Sequence, residues 1–279
     1  MNIIKKIENI LKNSGIEEYK KEAQILVCEV SELSLEDIIL EKPIDCIDKI
    51  IDLAQKRAQD RIPLHHLIGY RYFMGDKYKV NKNVLIPRDE TELLVLKAFE
   101  LIKNKKEKID ILDIGVGSGC ISCALAKKLK HKDIEILGVD ISSDALTTAL
   151  DNVNNLNLIR KVILRKSDLY SKIRPQEKFD LIVSNPPYIP IIQKNEIQYE
   201  VSEFEPELAL FASDNDGVEF FKKIIKDAPK YLKEDGFLAF EAGINQAHII
   251  KDILEKDFKN IEITPDMAGI ERVITAQKK

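Results

Sequence analysis

The chain has 279 residues, 44% hydrophobic and 32% charged, enough for one large domain and a smaller companion. Its formal net charge of -4 provides no overall basic field for nucleic acid, and no uninterrupted apolar stretch is long enough to span a bilayer. The opening segment alternates Ile with Lys and Glu and lacks a secretory apolar run, so a cytoplasmic setting without membrane contact is expected.

Residues 1–62 read as a small helical bundle. Ile3, Ile4, Ile7, Ile10 and Leu11 recur at helical spacing, and Ala23, Leu26, Val27 and Val30 repeat the pattern. Ser34 to Asp37 reads as an N-terminal cap, and Cys46 to Ala58 as a further amphipathic stretch. No chemistry is visible here; the bundle either docks a partner or covers the main domain. Residues 63–84 read as a linker. Ile62 to Tyr70 breaks the helical pattern, and Tyr70–Phe73 and Lys77–Val80 flank a Gly-containing turn, as in a hairpin. Adjacent histidines, His65 and His66, diverge on any regular element and make a poor metal pair.

Residues 85–279 form the main domain. Leu85 to Leu93 leads into a helix reaching about Lys103, with Pro87 fixing the entry and Asp89, Glu90 and Glu92 suiting the first turn. Arg88 is out of place at a positive helix end and hints at a site. From about residue 109 strands and helices alternate, which predicts an α/β fold with a doubly wound parallel sheet. Strands are expected at 109–114, 134–139, 162–164, 181–184 and 237–240, with strand-like runs at 261–263 and 272–275. Helices are expected at 121–130, 145–156, 218–232 and 246–254. Cys120 and Cys123 form a C-x-x-C with no second ligand pair at zinc spacing, so packing is expected and no metal site.

The loop Asp113-Ile-Gly115-Val116-Gly117-Ser118-Gly119 joins the first strand to its helix and lets a ligand lie against bare backbone. A dinucleotide loop of the G-x-G-x-x-G type would place its third small residue at 120, where Cys120 stands. The carboxylate of Asp113 beside the loop disfavours a pyrophosphate and favours a ligand with an amino group, of which S-adenosylmethionine is one. Asp140, ending the second strand, can accept both hydroxyls of a ribose. Asp168 after the third strand either meets the adenine amino group or caps a helix, while Leu169 can pack on the ring.

Leu181 to Tyr188 is a buried strand ending in Asn185-Pro186-Pro187-Tyr188. Prolines cannot continue a central strand, so Asn185 stands at a strand's C-terminal edge, where open α/β sheets place their ligands. An Asn amide followed by carbonyls with no competing N–H makes an acceptor clamp for an NH2 group. Tyr188 either walls the pocket or packs in the loop, and Glu241 either lines the cleft or caps its strand. The glycine loop, Asp140, Asp168 and Asn185 follow successive strands, so all are expected to open on one edge of the sheet.

Together they resemble class I S-adenosylmethionine-dependent methyltransferases, and more closely the HemK/PrmC-type release-factor glutamine methyltransferases. The marks from about Pro63 onward are GYRYFMGDKYKV, LIPRDETELLV, ILDIGVGSGCISCALA, VDIS, SNPPYI, FEPELAL, Asp216-Gly217 and AGIERV. Asp89 stands where that family commonly has proline. The resemblance implies methylation of the side-chain amide nitrogen (N5) of the glutamine in the Gly-Gly-Gln loop of class I peptide-chain release factors, leaving S-adenosylhomocysteine. It also implies that the nitrogen is held by Asn185 and the Pro186 carbonyl, and that the N-terminal helices grip the release factor. Rival readings are an adenine-N6 methyltransferase, disfavoured by the acidic balance, and a ribosomal-protein glutamine methyltransferase. A non-catalytic adenosyl-binding module has no use for the clamp, and an NAD-dependent oxidoreductase conflicts with the glycine spacing.

Overall fold

A computed structural model describes residues 3–279; the first two residues of the expected helical domain lie outside the described residues. The chain divides into two compact units, one running through Tyr70 and taking in Gln198–Phe204, the other holding Arg71–Ile197 and Glu205–Lys279.

The first unit carries α1 (Ile3–Asn13), α2 (Tyr19–Ser31), α3 (Leu35–Ile39), α4 (Ile47–Gln59) and α5 (Leu64–Ile68). Apolar stripes at helical spacing bury Ile7, Leu11, Leu26, Val27, Ile50 and Ala54 in one core. Ser34 caps α3 through a reciprocal box with Asp37. Residues 64–68 were expected to break the pattern, yet they form one helical turn, closed by Gly69 in the left-handed region. Arg57, 6% exposed, binds Glu22 through Nε (2.7 Å) and Nη2 (2.9 Å), and its Nη1 reaches Glu200 at 2.9 Å. Arg61 adds a second ion pair to Glu200 at 2.7 Å, so a segment far along the chain belongs to this unit.

In order, the remaining elements are the hairpin β1 (Tyr70–Phe73) and β2 (Asp76–Lys79), then α6 (Asp89–Ile102), β3 (Ile109–Ile114), α7 (Cys120–Lys128), β4 (Ile134–Asp140), α8 (Ser143–Asn155), β5 (Val162–Lys166) and β6 (Phe179–Ser184). There follow β7 (Ile189–Pro190), a 3-10 turn at Ile191–Glu196, α9 (Tyr199–Phe204, in the first unit), α10 (Glu207–Leu210), β8 (Phe211–Ala212), α11 (Glu219–Tyr231), β9 (Leu232–Glu241), α12 (Ala247–Leu254), β10 (Phe258–Pro265) and β11 (Glu271–Lys278).

Seven strands form one sheet in the order β10-β11-β9-β6-β3-β4-β5, the last five mutually parallel and β11 antiparallel to both β9 and β10. The central strands are buried on both faces, so β6 carries the apolar run Leu181–Val183 and β3 is mostly Ile and Leu, interrupted by Asp110 and Asp113. One face packs Leu94, Val95 and Ala98 of α6 with Cys123 and Leu125 of α7. The other packs Phe221, Ile224 and Ile225 of α11 with Ala247 and Ile250 of α12.

Register then decides where the site lies. Ile114 pairs with Val139 and Ser184, Asp140 with Lys166, and Ser184 with Phe240. The residues following β3, β4, β5, β6 and β9 therefore meet at one edge. The strand order reverses between β3 and β6, the switch point at which open α/β sheets leave a crevice. Among the described residues, no helix is long and apolar enough to cross a membrane.

Candidate active site

At this edge lies a cleft lined by Gly115, Val116, Gly117, Ser118, Asp140, Asp168, Leu169, Asn185, Pro186 and Pro187, with Arg88 and Thr91 from the start of α6. Ten of the thirteen residues expected to form the site thus share one cleft. Asp113, Gly119 and Tyr188 are not part of its lining.

The glycine loop is held tightly. Gly115 and Val116 both donate their N–H to the Val139 carbonyl, at 2.9 and 3.0 Å. Gly115 and Gly117 take φ of +76° and +52°, a region costly for a side chain. A Cβ on Gly115 would meet no atom within 4 Å, so bare backbone faces open space. Asp140 Oδ2 accepts from Gly117 N at 3.0 Å and Oδ1 from Ser142 N at 2.9 Å. Burial raises its pKa, and the backbone N–H donors oppose that shift.

Asp113 is fully buried beneath the loop. It accepts a 2.6 Å bond from the Ser122 hydroxyl, while its Oδ1 has no partner. Burial pushes its pKa up to about 7, against the Ser122 bond and with help from the Asp140 charge. Gly119 caps α7 with φ +81°. Leu169 lines the cleft in the left-handed region at φ +45°, with the Ser167 hydroxyl donating to its carbonyl at 2.8 Å. That is an unusual backbone for a bulky residue, of the kind that clusters at ligand sites.

Tyr188 turns inward. Its hydroxyl donates to Glu241 Oε1 at 3.2 Å, and its ring packs against the α11–α12 core. Its carbonyl accepts from Gln246 Nε2 at 2.8 Å; the same nitrogen serves the Asp216 carbonyl at 2.8 Å, and Gln246 Oε1 accepts from Gly243 N at 2.9 Å. A Cβ on Gly217 would stand 2.1 Å from the Tyr188 carbonyl oxygen, so a glycine is required where the tetrad loop passes. Asn185 Nδ2 donates to Thr91 Oγ1 at 3.2 Å. Arg88 pairs with the buried Glu205 at 2.5 Å, whose other oxygen accepts from Ile86 N at 3.0 Å.

Thr91, Glu205 and Gln246 are the supporting residues that sequence reasoning missed. Thr91 and Glu205 sit inside the PRDETE and FEPELAL runs and so had a signal; Gln246 had none. The C-x-x-C pair is packed: burial pushes the Cys120 thiol up to about 12 and raises Cys123 as well. Among the described residues no group of three or more His, Cys, Asp or Glu side chains is placed to hold a metal ion.

A parallel sheet with an appended antiparallel strand pair, a glycine loop, a strand-end acid and an Asn-Pro-Pro-Tyr corner define a class I methyltransferase. Residues 89–203 match the Methyltransferase small domain family. The catalytic domain of hMettl16 in complex with MAT2A 3'UTR hairpin 6 shares the fold, with a TM-score of 0.58 at 18% identity over 81% of each chain. The chain is 41% identical over 232 residues to the release factor glutamine methyltransferase of Fusobacterium nucleatum, covering 83% of this chain and 64% of that relative. It is 36% identical over 265 residues to that of Thermodesulfovibrio yellowstonii, covering 92% of both. The ribosomal protein uL3 glutamine methyltransferase of Xanthomonas campestris is 38% identical over 223 residues, covering 80% of this chain and 70% of that one. The chain belongs to the release factor glutamine methyltransferase family and is a methyltransferase.

Proposed function

We propose that the protein methylates the side-chain amide nitrogen of the glutamine in the Gly-Gly-Gln loop of class I peptide-chain release factors, using S-adenosylmethionine, in the cytoplasm. The observation that carries this reading is the placing of Asn185, Pro186 and Pro187 in the same cleft as Asp140 and the glycine loop, with the Asn185 NH2 already committed to Thr91.

The cleft fits the cofactor. Bare backbone at Gly115 and Gly117 admits a ligand, Asp140 offers carboxylate oxygens to ribose hydroxyls, and Leu169 offers apolar surface to the adenine. The cofactor supplies an electrophilic methyl group on a positively charged sulfur. An amide nitrogen is a poor nucleophile, because its lone pair is delocalised into the carbonyl. Asn185 Oδ1 and the Pro186 carbonyl would accept its two N–H bonds, hold the nitrogen toward the methyl and favour the positive charge that builds on it; the S–C bond would break as N–C forms, leaving neutral S-adenosylhomocysteine, and one N–H proton would pass to water. Orientation of this kind supplies roughly 7–11 kcal/mol of a barrier without a dedicated base. The helical unit serves to hold the release factor away from its glutamine.

The uL3 enzyme's similarity favours a second acceptor with the same chemistry. Labelled S-adenosylmethionine offered with a release factor, protein uL3 and DNA separates the readings. Label on the release factor supports the proposal, label on uL3 alone moves the acceptor, and label on DNA replaces the glutamine clamp by an adenine clamp.

A further inference from the structure

The corner that would hold the acceptor amide is short of donors. Asn185 commits its NH2 to Thr91, and Pro186 and Pro187 have no N–H, so the part of the corner that lines the cleft only accepts hydrogen bonds. A Gly-Gly-Gln loop entering the cleft brings main-chain carbonyls as well as an NH2. Its glycines have no side chains to grip, and a carbonyl taken out of water without a donor weakens binding.

Arg88 has donors to offer. It is the one cation among the described residues that line the cleft, and its side chain is 33% exposed. It stands beside the corner: the Thr91 N–H donates to the Arg88 carbonyl at 3.2 Å, and the Thr91 hydroxyl oxygen takes the Asn185 bond. Burial raises the pKa of the Tyr188 hydroxyl, and the charge of Arg88 is one of those opposing the rise, so Arg88 is felt within the tetrad itself. Its Nη2 donates to Glu205 Oε1 at 2.5 Å, while among the described residues Nε and Nη1 make no hydrogen bond. Glu205, with its side chain 1% exposed, takes the Ile86 N–H on its other oxygen and is fully engaged. The guanidinium is therefore anchored at one nitrogen and open at the others. The ion pair brings donors to the cleft with no net charge, and so does not oppose a cofactor whose sulfur is positive.

We infer that Arg88, anchored by Glu205, binds a main-chain carbonyl of the acceptor loop next to the glutamine. The inference rests on the glutamine-clamp reading of Asn185. The amide oxygen of the glutamine is the wrong partner, because a cation there draws the nitrogen lone pair further into the carbonyl and slows attack. A main-chain carbonyl keeps its charge throughout the transfer. The contact is then equally strong before and at the transition state, and its loss is felt in binding rather than in rate.

The test uses two variants. Arg88→Lys keeps the ion pair but gives up the fork of donors. Arg88→Met combined with Glu205→Gln removes both charges together and leaves no buried carboxylate unpaired. In both, the KM for the release factor should rise roughly 10- to 100-fold, the effect of one hydrogen bond to a charged group. The kcat at saturating acceptor and the cofactor Kd by calorimetry should stay within about threefold of wild type. An unchanged acceptor KM in the double variant would overturn the inference. A fall in kcat at unchanged KM would overturn it by placing Arg88 on the reacting amide. A cofactor Kd raised as much as the KM would overturn it by placing Arg88 on the cofactor's carboxylate. The function reading fails differently: a wild-type enzyme that methylates neither release factor nor uL3 refutes the glutamine clamp, and this inference with it.

Discussion

Asp140 Oδ2 accepts the backbone N–H of Gly117 at 3.0 Å, so one side chain at the end of β4 ties down the glycine loop that follows β3. The same carboxylate is the group expected to receive the ribose hydroxyls. Asp140→Ala removes both functions, and hydrogen bonds to a charged group are worth about 1.5–3 kcal/mol. Calorimetry should show the S-adenosylmethionine Kd rising roughly 10- to 100-fold, with kcat at saturating cofactor much less affected. An unchanged Kd contradicts the ribose assignment.

Asn185→Ala should do the reverse. Loss of a preorganised transition-state contact typically lowers kcat by about 100- to 1000-fold. The cofactor Kd should stay near wild type, because the glycine loop and Asp140 are untouched. A variant that transfers methyl groups at the wild-type rate is incompatible with the clamp.

The central strands and their loops were legible because a buried parallel strand is an apolar run, and glycine or proline marks where it ends. That logic located β3, β4, β6 and the corner residues Asn185 and Pro186. It was blind to long-range polar partners. Glu200 joins the helical unit through Arg57 and Arg61, and an ion pair across so much chain leaves no periodic trace. Thr91, in an acidic first turn, reads as ordinary helix chemistry until the end of β6 brings Asn185 against it. Tyr188 left a choice between pocket wall and packed loop; its hydroxyl bond to Glu241 and its carbonyl bond to Gln246 turn it inward. The turn α5 was missed because five residues are too few to show a period.

Asp113 titrates near neutrality in the folded protein, its pKa raised by burial to about 7 from an ordinary 3.8. The unfolded chain ionises first, so the stability contributed by the protonated form is present below about pH 4 and is lost as pH rises to about 7. Asp113→Asn removes this titration. Urea unfolding from pH 4 to 8 should show the variant gaining on wild type up to about pH 7 and then running parallel to it. A constant difference across that range would mean that Asp113 is ionised throughout.

Gln246 joins the tetrad loop, the Asp216 turn and Gly243 through three hydrogen bonds. Gln246→Ala leaves two carbonyls and one N–H without their partner. Unfolding stability should drop by about 2–3 kcal/mol, and kcat should fall as the corner loosens. Chemical denaturation checks the first effect, and a loss below about 0.5 kcal/mol would show that water replaces the amide.

The most direct measurement is tandem mass spectrometry of a class I release factor incubated with the protein and S-adenosylmethionine. The expected result is one added methyl group on the side chain of the Gly-Gly-Gln glutamine, absent when that glutamine is replaced and absent with Asn185→Ala. A methyl group on another residue, or an unmodified release factor while the protein binds cofactor and methylates a different acceptor, would contradict the account.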